Sequence, residues 1–175
     1  ADNTMVVWVA DHGDTLASHG GVWDKSCTMS QELIRIPMAI RWPNRFNGGT
    51  TTRPVSNLDV TATMLDAAGV TVPDTMQSRS LLPICDHPET TDVPDFTFVE
   101  HYGHGFNLLQ KVIVTEQYKY IAAQFDGDEL YDLENDPYEV NNLVDNPEYD
   151  TVADELRNKL LDYIRSVNDH YGLRN

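Results

Sequence analysis

The chain has 175 residues, and its 12 Lys and Arg against 28 Asp and Glu give a net charge of −16. Surfaces that bind nucleic acid or anionic membranes need a basic footprint, so we expect neither as a partner. Hydrophobic residues make up 41% of the chain, which is enough for a core and argues against intrinsic disorder. Cys27 and Cys85 lie in no C-x-x-C motif, so they leave the compartment open between periplasmic, secreted and cytoplasmic.

A continuous apolar and β-branched run occupies residues 5–10. Runs of this kind are typical of strands covered on both faces, as in a parallel sheet with helices on each side. A fully buried strand needs neighbours on both edges, and it rarely stands at the start of a chain. We therefore expect the sequence to be a piece of a larger protein.

Strand and helix signals continue through the first half of the chain. Residues 36–42 predict a short strand, preceded at 28–35 by a helix or an approach loop. A helix is predicted over residues 57–68, with Gly69 as the residue that ends it. Residues 70–94 contain four prolines and little periodicity, so we expect a long irregular connection.

Strands dominate the next segment. Residues 96–101 predict one strand, and residues 111–125, rich in Val, Ile, Tyr and Thr, predict one long strand or a hairpin arm. Gly127 supplies a turn into a further strand at residues 129–133. Together these segments predict a small antiparallel sheet.

The C-terminal helix has the clearest local pattern. Asn146 caps it, Pro147 suits its first turn, and apolar residues recur along one face. These apolar residues stand at positions 149, 152, 153, 156, 160, 163, 164 and 167. We therefore predict two domains, an α/β unit over residues 1–94 and an antiparallel sheet with one amphipathic helix over residues 95–175.

The strongest chemical signal is Asp11-His12-Gly13, directly after the first strand. Ligands of open α/β sheets bind beyond the carboxyl ends of the strands, where these side chains fall. A carboxylate beside an imidazole supplies two ligands for a divalent cation, and Gly13 permits a tight bend. The alternative is an aspartate that caps the next segment and a histidine bonded to nearby backbone.

Lys25 and His19 follow within the same segment. A lysine ammonium close to a metal loop suits a tetrahedral oxyanion, because it is a point charge that neutralises oxygen. The alternative for Lys25 is a solvated surface lysine. His19 is either a site residue or a packed loop histidine.

Here the motifs resemble those of a known family. The segment that carries Asp11, His12, His19 and Lys25 resembles the late metal-binding segment of the sulfatases, in the alkaline phosphatase superfamily. Further motifs similar to those of this family follow in its order at residues 32–37, 41–43, 58–65, 80–83, 118–120 and 129–139. The resemblance implies an α/β fold, the C-terminal part of an alkaline-phosphatase-like mixed or parallel sheet sandwich followed by a small antiparallel sheet with one amphipathic helix.

The resemblance also implies roles for single residues. Asp11 and His12 correspond to ligands of a divalent cation, usually calcium, and Lys25 corresponds to the lysine that contacts the sulfate group. His19 matches a family position without an assigned role. The C-terminal subdomain of this family borders the active-site cleft, so His101 and His104 are weaker candidates for substrate contact. Loop histidines without a site role, or a surface metal pair, are the alternatives for these two.

Three parts of the family pattern are missing from the sequence: the nucleophile motif, an early pair of aspartates that bind the metal, and a histidine that assists departure of the leaving group. Sulfatases use a Cys or Ser within C/S-x-P-S/A-R, converted to formylglycine, as the nucleophile, and neither Cys27 nor Cys85 stands in such a motif. The resemblance therefore implies a C-terminal fragment of a sulfatase, which needs the missing N-terminal part of the same protein. Its substrate would be a sulfate ester of a small molecule or carbohydrate, and we expect no turnover by the isolated chain.

Two other functions stay open at this point. A phosphonate monoester or phosphodiester hydrolase of the same superfamily would use the same Asp-His pair and lysine. A non-catalytic stand-alone module is the alternative from a different class.

Overall fold

The computed structural model describes residues 2–25, 28–103 and 108–169. The chain forms two units, one of Ala1–Asp11 with Ile36–Asp95 and the other of His12–Arg35 with Phe96–Asn175. The elements in chain order are β1 (Val6–Val9), α1 (Ser18–Gly21), α2 (Gln31–Ile34), β2 (Met38–Arg41), α3 (Leu58–Ala67), α4 (Leu82–Asp86), β3 (Phe96–His101), β4 (Gln110–Thr115), β5 (Tyr118–Ala123), β6 (Glu129–Asp132) and α5 (Asp150–Ser166). No helix within the described ranges is long and apolar enough to cross a membrane.

Strand β1 of the first unit pairs antiparallel with β2, so that Trp8 lies opposite Ala39. Successive side chains of a strand point to opposite faces. Val6 and Trp8 share one face and are 49% and 62% exposed, whereas Val7 and Val9 are half-buried. Parallel pairing is therefore wrong for β1 and β2, which run antiparallel, and one face of β1 is open in this chain.

Helix α3 of the first unit is held in place by two of its own buried polar side chains, Asp59 and Thr63. Asp59 accepts hydrogen bonds from the backbone N–H groups of Ser56, at 3.0 Å, and Arg79, at 3.0 Å. Thr63 Oγ1 donates to the Asp59 carbonyl and accepts from the Leu81 N–H. The predicted helix is confirmed to within a residue, but the connection after it contains the short helix α4, which the sequence pattern did not predict.

The second unit contains a four-stranded antiparallel sheet in the order β3-β4-β5-β6. The predicted strand at 96–101 is confirmed, and residues 111–125 form the hairpin of β4 and β5, not one long strand. Because side chains alternate along each strand, the paired residues Ile113 and Tyr120 face one way, and the paired residues Val112 and Ile121 face the other.

Both faces of this sheet are covered. Helix α5 packs Leu156, Leu160 and Ile164 against the face that carries Ile113 and Tyr120. Asn146 caps the single 3-10 turn that leads into α5, since its side chain accepts a hydrogen bond from the Glu148 N–H at 3.1 Å. The amphipathic helix predicted from the sequence is therefore confirmed.

The opposite face of the sheet is covered by a segment from far upstream. Met29 and Leu33, each 5% exposed, form a core cluster with Val112 and Ile121. Helix α2 and the residues just before it therefore rest on the C-terminal sheet, within the same unit. This packing fixes the base of the loop that carries the candidate site residues His12 and Lys25.

Candidate active site

The side chains of His12 and Lys25 are in contact. The Lys25 ammonium lies 2.9 Å from Nε2 of His12, and Nδ1 of the same ring lies 2.7 Å from the Gly13 carbonyl oxygen. These partners assign the tautomer, since the carbonyl requires a donor at Nδ1 and the ammonium requires an acceptor at Nε2. The lone pair of Nε2 therefore accepts a hydrogen bond from the Lys25 ammonium.

Asp11 ends the first of the two segments that form the first unit, and His12 is the first residue of the second unit. The Asp11 side chain is exposed, and its backbone carbonyl accepts a hydrogen bond of 3.4 Å from the Asn57 side chain. Asn57 directly precedes helix α3, so this contact ties the end of the first segment to a helix of its own unit.

The loop between His12 and Lys25 is closed by Thr15, which is 1% exposed. Its hydroxyl lies 2.8 Å from the Val22 carbonyl and 2.6 Å from the Asp24 carbonyl, so it joins the two ends of the loop. Sequence reasoning missed Thr15, because a lone threonine in a polar segment gives no signal of a buried side chain.

Gly13 anchors the loop to helix α2. Its N–H donates to the Leu33 carbonyl at 2.8 Å. A Cβ at this position would lie 1.8 Å from the Glu32 carbonyl oxygen, well inside contact distance, so no side chain fits. The glycine is therefore required by close approach of two backbone segments.

His19 belongs to the same anchor and lies away from the His12–Lys25 contact along the loop. Its Nε2 lies 3.1 Å from Oε2 of Glu32. Burial would raise the pKa of Glu32, but hydrogen bonds from its own backbone N–H, His19 and Ser30 outweigh it and hold the pKa below the ordinary value. A carboxylate that stays charged is a strong partner for the imidazole.

Glu139 lies beside this pair, and one ligand atom each from His19, Glu32 and Glu139 lie within 4.8 Å of one another. Such spacing suits a cation, but the Glu139 carboxylate already forms an ion pair with the Lys119 ammonium. Lys119 is fully buried and Glu139 is 2% exposed at the side chain. Burial lowers the pKa of Lys119 and raises the pKa of Glu139, and the attraction between them opposes both shifts.

Of the two histidines predicted as substrate contacts, His101 lies within the described residues of the second unit. His101 is the last residue of β3 and is half-buried, while His104 lies outside the described residues. Next to His101, the Tyr102 hydroxyl donates to Glu100 at 2.8 Å, and the buried Lys111 ammonium lies 3.4 Å from the same carboxylate.

Cys85, the cysteine within the described residues, gives no sign of a nucleophile. Cys85 lies on α4, and burial, with a smaller contribution from Asp86, raises the pKa of its thiol. A thiol with a raised pKa stays protonated and unreactive. Cys27 lies outside the described residues.

Comparisons with known proteins assign the family. Residues 18–166 match the family described as N-sulphoglucosamine sulphohydrolase, C-terminal. The chain is 30% identical over 171 residues to the uncharacterized sulfatase YidJ of Escherichia coli, a match that covers 97% of this chain and 34% of that protein. It is 33% identical over 177 residues to the N-acetylglucosamine-6-O-sulfatase of Bacteroides thetaiotaomicron, covering 97% of this chain and 31% of that protein.

Solved structures agree with these matches. BT4656, solved in complex with its substrate D-glucosamine-2-N,6-O-disulfate, superposes with a TM-score of 0.88 at 31% identity and covers 98% of this chain and 36% of that chain. The phosphonate monoester hydrolase of Agrobacterium radiobacter shares the fold, with a TM-score of 0.82 at 23% identity over 95% of this chain and 36% of that chain.

The fold and the matched residues place the chain in the alkaline-phosphatase-like class of α/β proteins, as the sequence predicted. Within that class the chain belongs to the sulfatase family, of which it carries the C-terminal domain. It spans about a third of the length of the curated relatives it matches. Both the family resemblance and the C-terminal position are confirmed.

Proposed function

We propose that the protein containing this chain is a sulfatase that hydrolyses a sulfate ester to an alcohol and sulfate. The contact between Lys25 and His12 carries the proposal, because it brings a fixed positive charge to a nitrogen suited to metal binding. A sulfate group presents negative oxygens, and a cationic site of this kind stabilises them in the ground state and in the transition state.

Asp11 and His12 would hold the divalent cation, with calcium as the expected ion. The hydrogen bonding of the His12 ring is what suits this residue to binding a metal ion. Histidines that bind metals usually donate their other ring N–H to a carbonyl or carboxylate, and Nδ1 of His12 lies 2.7 Å from the Gly13 carbonyl. Nε2 accepts a hydrogen bond from the Lys25 ammonium in this structure, and it would bind the cation with the same lone pair once that ammonium donates to a sulfate oxygen instead. When bound, the metal would supply Lewis acidity toward the sulfate oxygens.

Lys25 contributes binding and charge stabilisation in this proposal. Its ammonium would bind a sulfate oxygen directly, and its place in the loop is fixed by the Thr15 hydroxyl, which bonds the neighbouring Asp24 carbonyl at 2.6 Å. A donor held in position before the reaction costs no reorganisation as charge develops, which is why such groups accelerate acyl, phosphoryl and sulfuryl transfer.

The nucleophile would be a formylglycine from a segment outside this sequence. No Cys or Ser of the chain stands in the C/S-x-P-S/A-R motif. We therefore expect the isolated 175-residue chain to be inactive and the N-terminal part of the same protein to complete the site.

The substrate class we propose is a sulfated carbohydrate or a small sulfate ester. BT4656 is described with a sulfated glucosamine as its substrate, and a relative is an N-acetylglucosamine-6-O-sulfatase. His101 and His104 are the proposed contacts to the alcohol part; His101 is the last residue of strand β3, and His104 follows it in the sequence outside the described residues.

A comparison of two substrates tests this function in the whole protein. We expect faster hydrolysis of 4-nitrophenyl sulfate than of 4-nitrophenyl phenylphosphonate, with loss of activity on dialysis against EDTA and recovery with calcium. Preference for the phosphonate would replace the proposal with a phosphonate monoester hydrolase. Absence of both activities, with a cooperative calcium-independent melt of the isolated chain, would favour a non-catalytic module.

A further inference from the structure

We propose that the buried ion pair of Lys119 and Glu139 is a positioning device for the loop that carries His12 and Lys25. This inference rests on the proposed function, because the loop matters for catalysis only if His12 and Lys25 serve the sulfate site. Neither Lys119 nor Glu139 touches those two residues; both act through the backbone of the segment at 29–33.

The first link runs from the ion pair to that segment. Oε2 of Glu139 accepts a hydrogen bond of 2.8 Å from the Gln31 N–H, at the first turn of α2. The Lys119 ammonium donates to the Met29 carbonyl oxygen. The pair therefore binds one donor and one acceptor of the incoming backbone, two residues apart, through side chains that stand on the C-terminal sheet and its following turn.

The second link runs from the same segment to the site loop. Leu33 accepts the Gly13 N–H at 2.8 Å, and Glu32 binds His19 at 3.1 Å. Gly13 directly follows His12, so the anchor acts one residue from the imidazole. The sequence separations are 108 residues from Gln31 to Glu139 and 90 residues from Lys119 to Met29, so the contacts join distant parts of the chain.

The pair is costly to bury, which suggests a role other than stability. Burial lowers the pKa of Lys119 and raises that of Glu139, so desolvation outweighs the attraction for both groups. Replacing a buried ion pair with apolar side chains of similar size is often neutral or stabilising. In addition, Glu139 has a φ of 55°, a left-handed conformation that side chains other than glycine adopt at a cost. This backbone conformation directs the Glu139 side chain toward Lys119 and the Gln31 N–H.

A second buried lysine on the adjacent strand gives a matched control. Lys111 on β4 is 1% exposed and forms an ion pair with Asp169, which is 16% exposed. Its ammonium contacts Glu100, Asp169 and the Phe98 and Tyr102 rings, and none of these residues belongs to the segment at 29–33. The two pairs have the same chemistry, but only the Lys119 pair holds the site loop.

The experiment compares three double variants in the whole protein. Lys119→Met/Glu139→Leu removes both backbone contacts without leaving an unpaired charge. Lys119→Met/Glu139→Gln also removes the charges, but its amide oxygen can still accept the Gln31 N–H. Lys111→Met/Asp169→Leu is the control. Hydrogen exchange of the amides in residues 12–25, the melting temperature, and kcat and KM for 4-nitrophenyl sulfate are measured for each.

We expect the Leu variant to exchange the Gly13 amide about tenfold faster, the effect of losing one hydrogen bond, and to lose a similar factor in kcat/KM. The amides of Val112 and Ile121 on the sheet and the melting temperature should stay close to wild type. The Gln variant should recover part of both losses, and the control should match wild type in exchange at 12–25. Recovery by glutamine separates positioning from a general loss of stability.

Wild-type exchange at 12–25 and wild-type kcat/KM in a folded Leu variant would overturn the inference. If the Leu variant fails to fold, Lys119→Met/Glu139→Ala takes its place, because it also removes both backbone contacts. Wild-type exchange at the Gly13 and Gln31 amides of that protein would also overturn the inference. If the wild-type protein turns over no sulfate ester, the proposed function fails, whereas the exchange data still decide whether the pair positions the loop.

Discussion

The Lys25 ammonium and Nε2 of His12 lie 2.9 Å apart, although 13 residues separate them in the chain. The imidazole is held at both nitrogens, since Nδ1 lies 2.7 Å from the Gly13 carbonyl. The loop between them is closed by the buried Thr15 hydroxyl, which bonds two carbonyls near its end. The Lys25 ammonium and the His12 imidazole are therefore neighbours, and the hydrogen bonds of the loop hold both in place without a substrate.

Lys25→Met should lower kcat/KM for a sulfate ester by about 10²- to 10³-fold, the range found when one preorganised donor is removed from a charged transition state. We expect kcat/KM of Lys25→Arg to lie between those of wild type and Lys25→Met, because the planar guanidinium keeps the charge of the ammonium but not its compact shape. Steady-state kinetics of the whole protein check both values.

Lys159→Met is a suitable control for this series, since Lys159 lies on α5 against the Phe96 ring, 5.5 Å from its centroid, on the far face of the sheet. We expect wild-type kinetics for it. Equal kcat/KM in Lys25→Met and wild type would rule out a sulfate contact by Lys25.

Gly13→Ala should disrupt the site loop, because the new Cβ would lie 1.8 Å from the Glu32 carbonyl oxygen. Relief requires a shift of Gly13 away from α2, which breaks its hydrogen bond to Leu33 and moves His12 with it. We expect a loss of calcium affinity and of kcat/KM, measured by calorimetry and steady-state kinetics. Gly127→Ala is the matched control, since nothing lies within 4 Å of its added Cβ. Unchanged calcium affinity in Gly13→Ala would contradict the proposed anchor.

Much of the second unit could be predicted from the sequence, because its signals are local. Apolar residues recurring at helical spacing defined α5, and Leu156 and Leu160 are indeed buried against the sheet. Turn residues separated the strands correctly. The first strand was harder, since an apolar run such as 6–9 does not reveal which neighbours cover it, and Trp8 is 62% exposed.

The candidate site shows the same division. Asp11, His12 and Lys25 are candidates because of their residue types and because their segment resembles the metal-binding segment of the sulfatases, and their roles stay predictions. The support of the site could not be named, because Lys119 and Glu139 reach Met29 and Gln31 across 90 and 108 residues of sequence. Long-range pairing of this kind follows from packing of the sheet, which no local pattern contains.

A double-mutant cycle on Lys119 and Glu139 should show strong coupling. Lys119→Met alone leaves the Glu139 carboxylate buried without its partner, and Glu139→Leu alone leaves the ammonium unpaired. Each single change should lower the free energy of unfolding by about 3–5 kcal/mol, whereas the double change should cost far less. Urea unfolding of the four proteins provides the free energies. Additive single effects would mean that the two groups do not depend on each other.

Acid should destabilise the second unit through two turn carboxylates, Asp132 and Asp136. Burial would raise the pKa of Asp132, but hydrogen bonds from the side chain and backbone of Asn135 and from the Glu134 N–H outweigh it and hold the pKa below its ordinary value. Burial would also raise the pKa of Asp136. Hydrogen bonds from Asn141 and nearby backbone N–H groups outweigh this effect, so the pKa of Asp136 is lowered as well.

A lowered folded-state pKa means that the unfolded chain binds the proton more readily. The stabilisation from each carboxylate is therefore present above the unfolded pKa, near 3.8, and is lost as the pH falls through the lower folded-state pKa. Glu139 acts in the opposite sense, because its raised pKa favours protonation in the folded state. We expect the free energy of unfolding to fall below about pH 4, and Asp132→Asn and Asp136→Asn each to reduce that slope.

Asp74→Asn serves as the control, because it removes the same charge from an exposed carboxylate of the first unit. Urea unfolding at a series of pH values from 6 to 3 would measure the slopes. The control should keep the wild-type slope below pH 4, while the two turn variants flatten it and start from a lower stability at pH 6. A slope in Asp132→Asn equal to that of Asp74→Asn would show that the hydrogen-bonded turn does not supply the acid sensitivity.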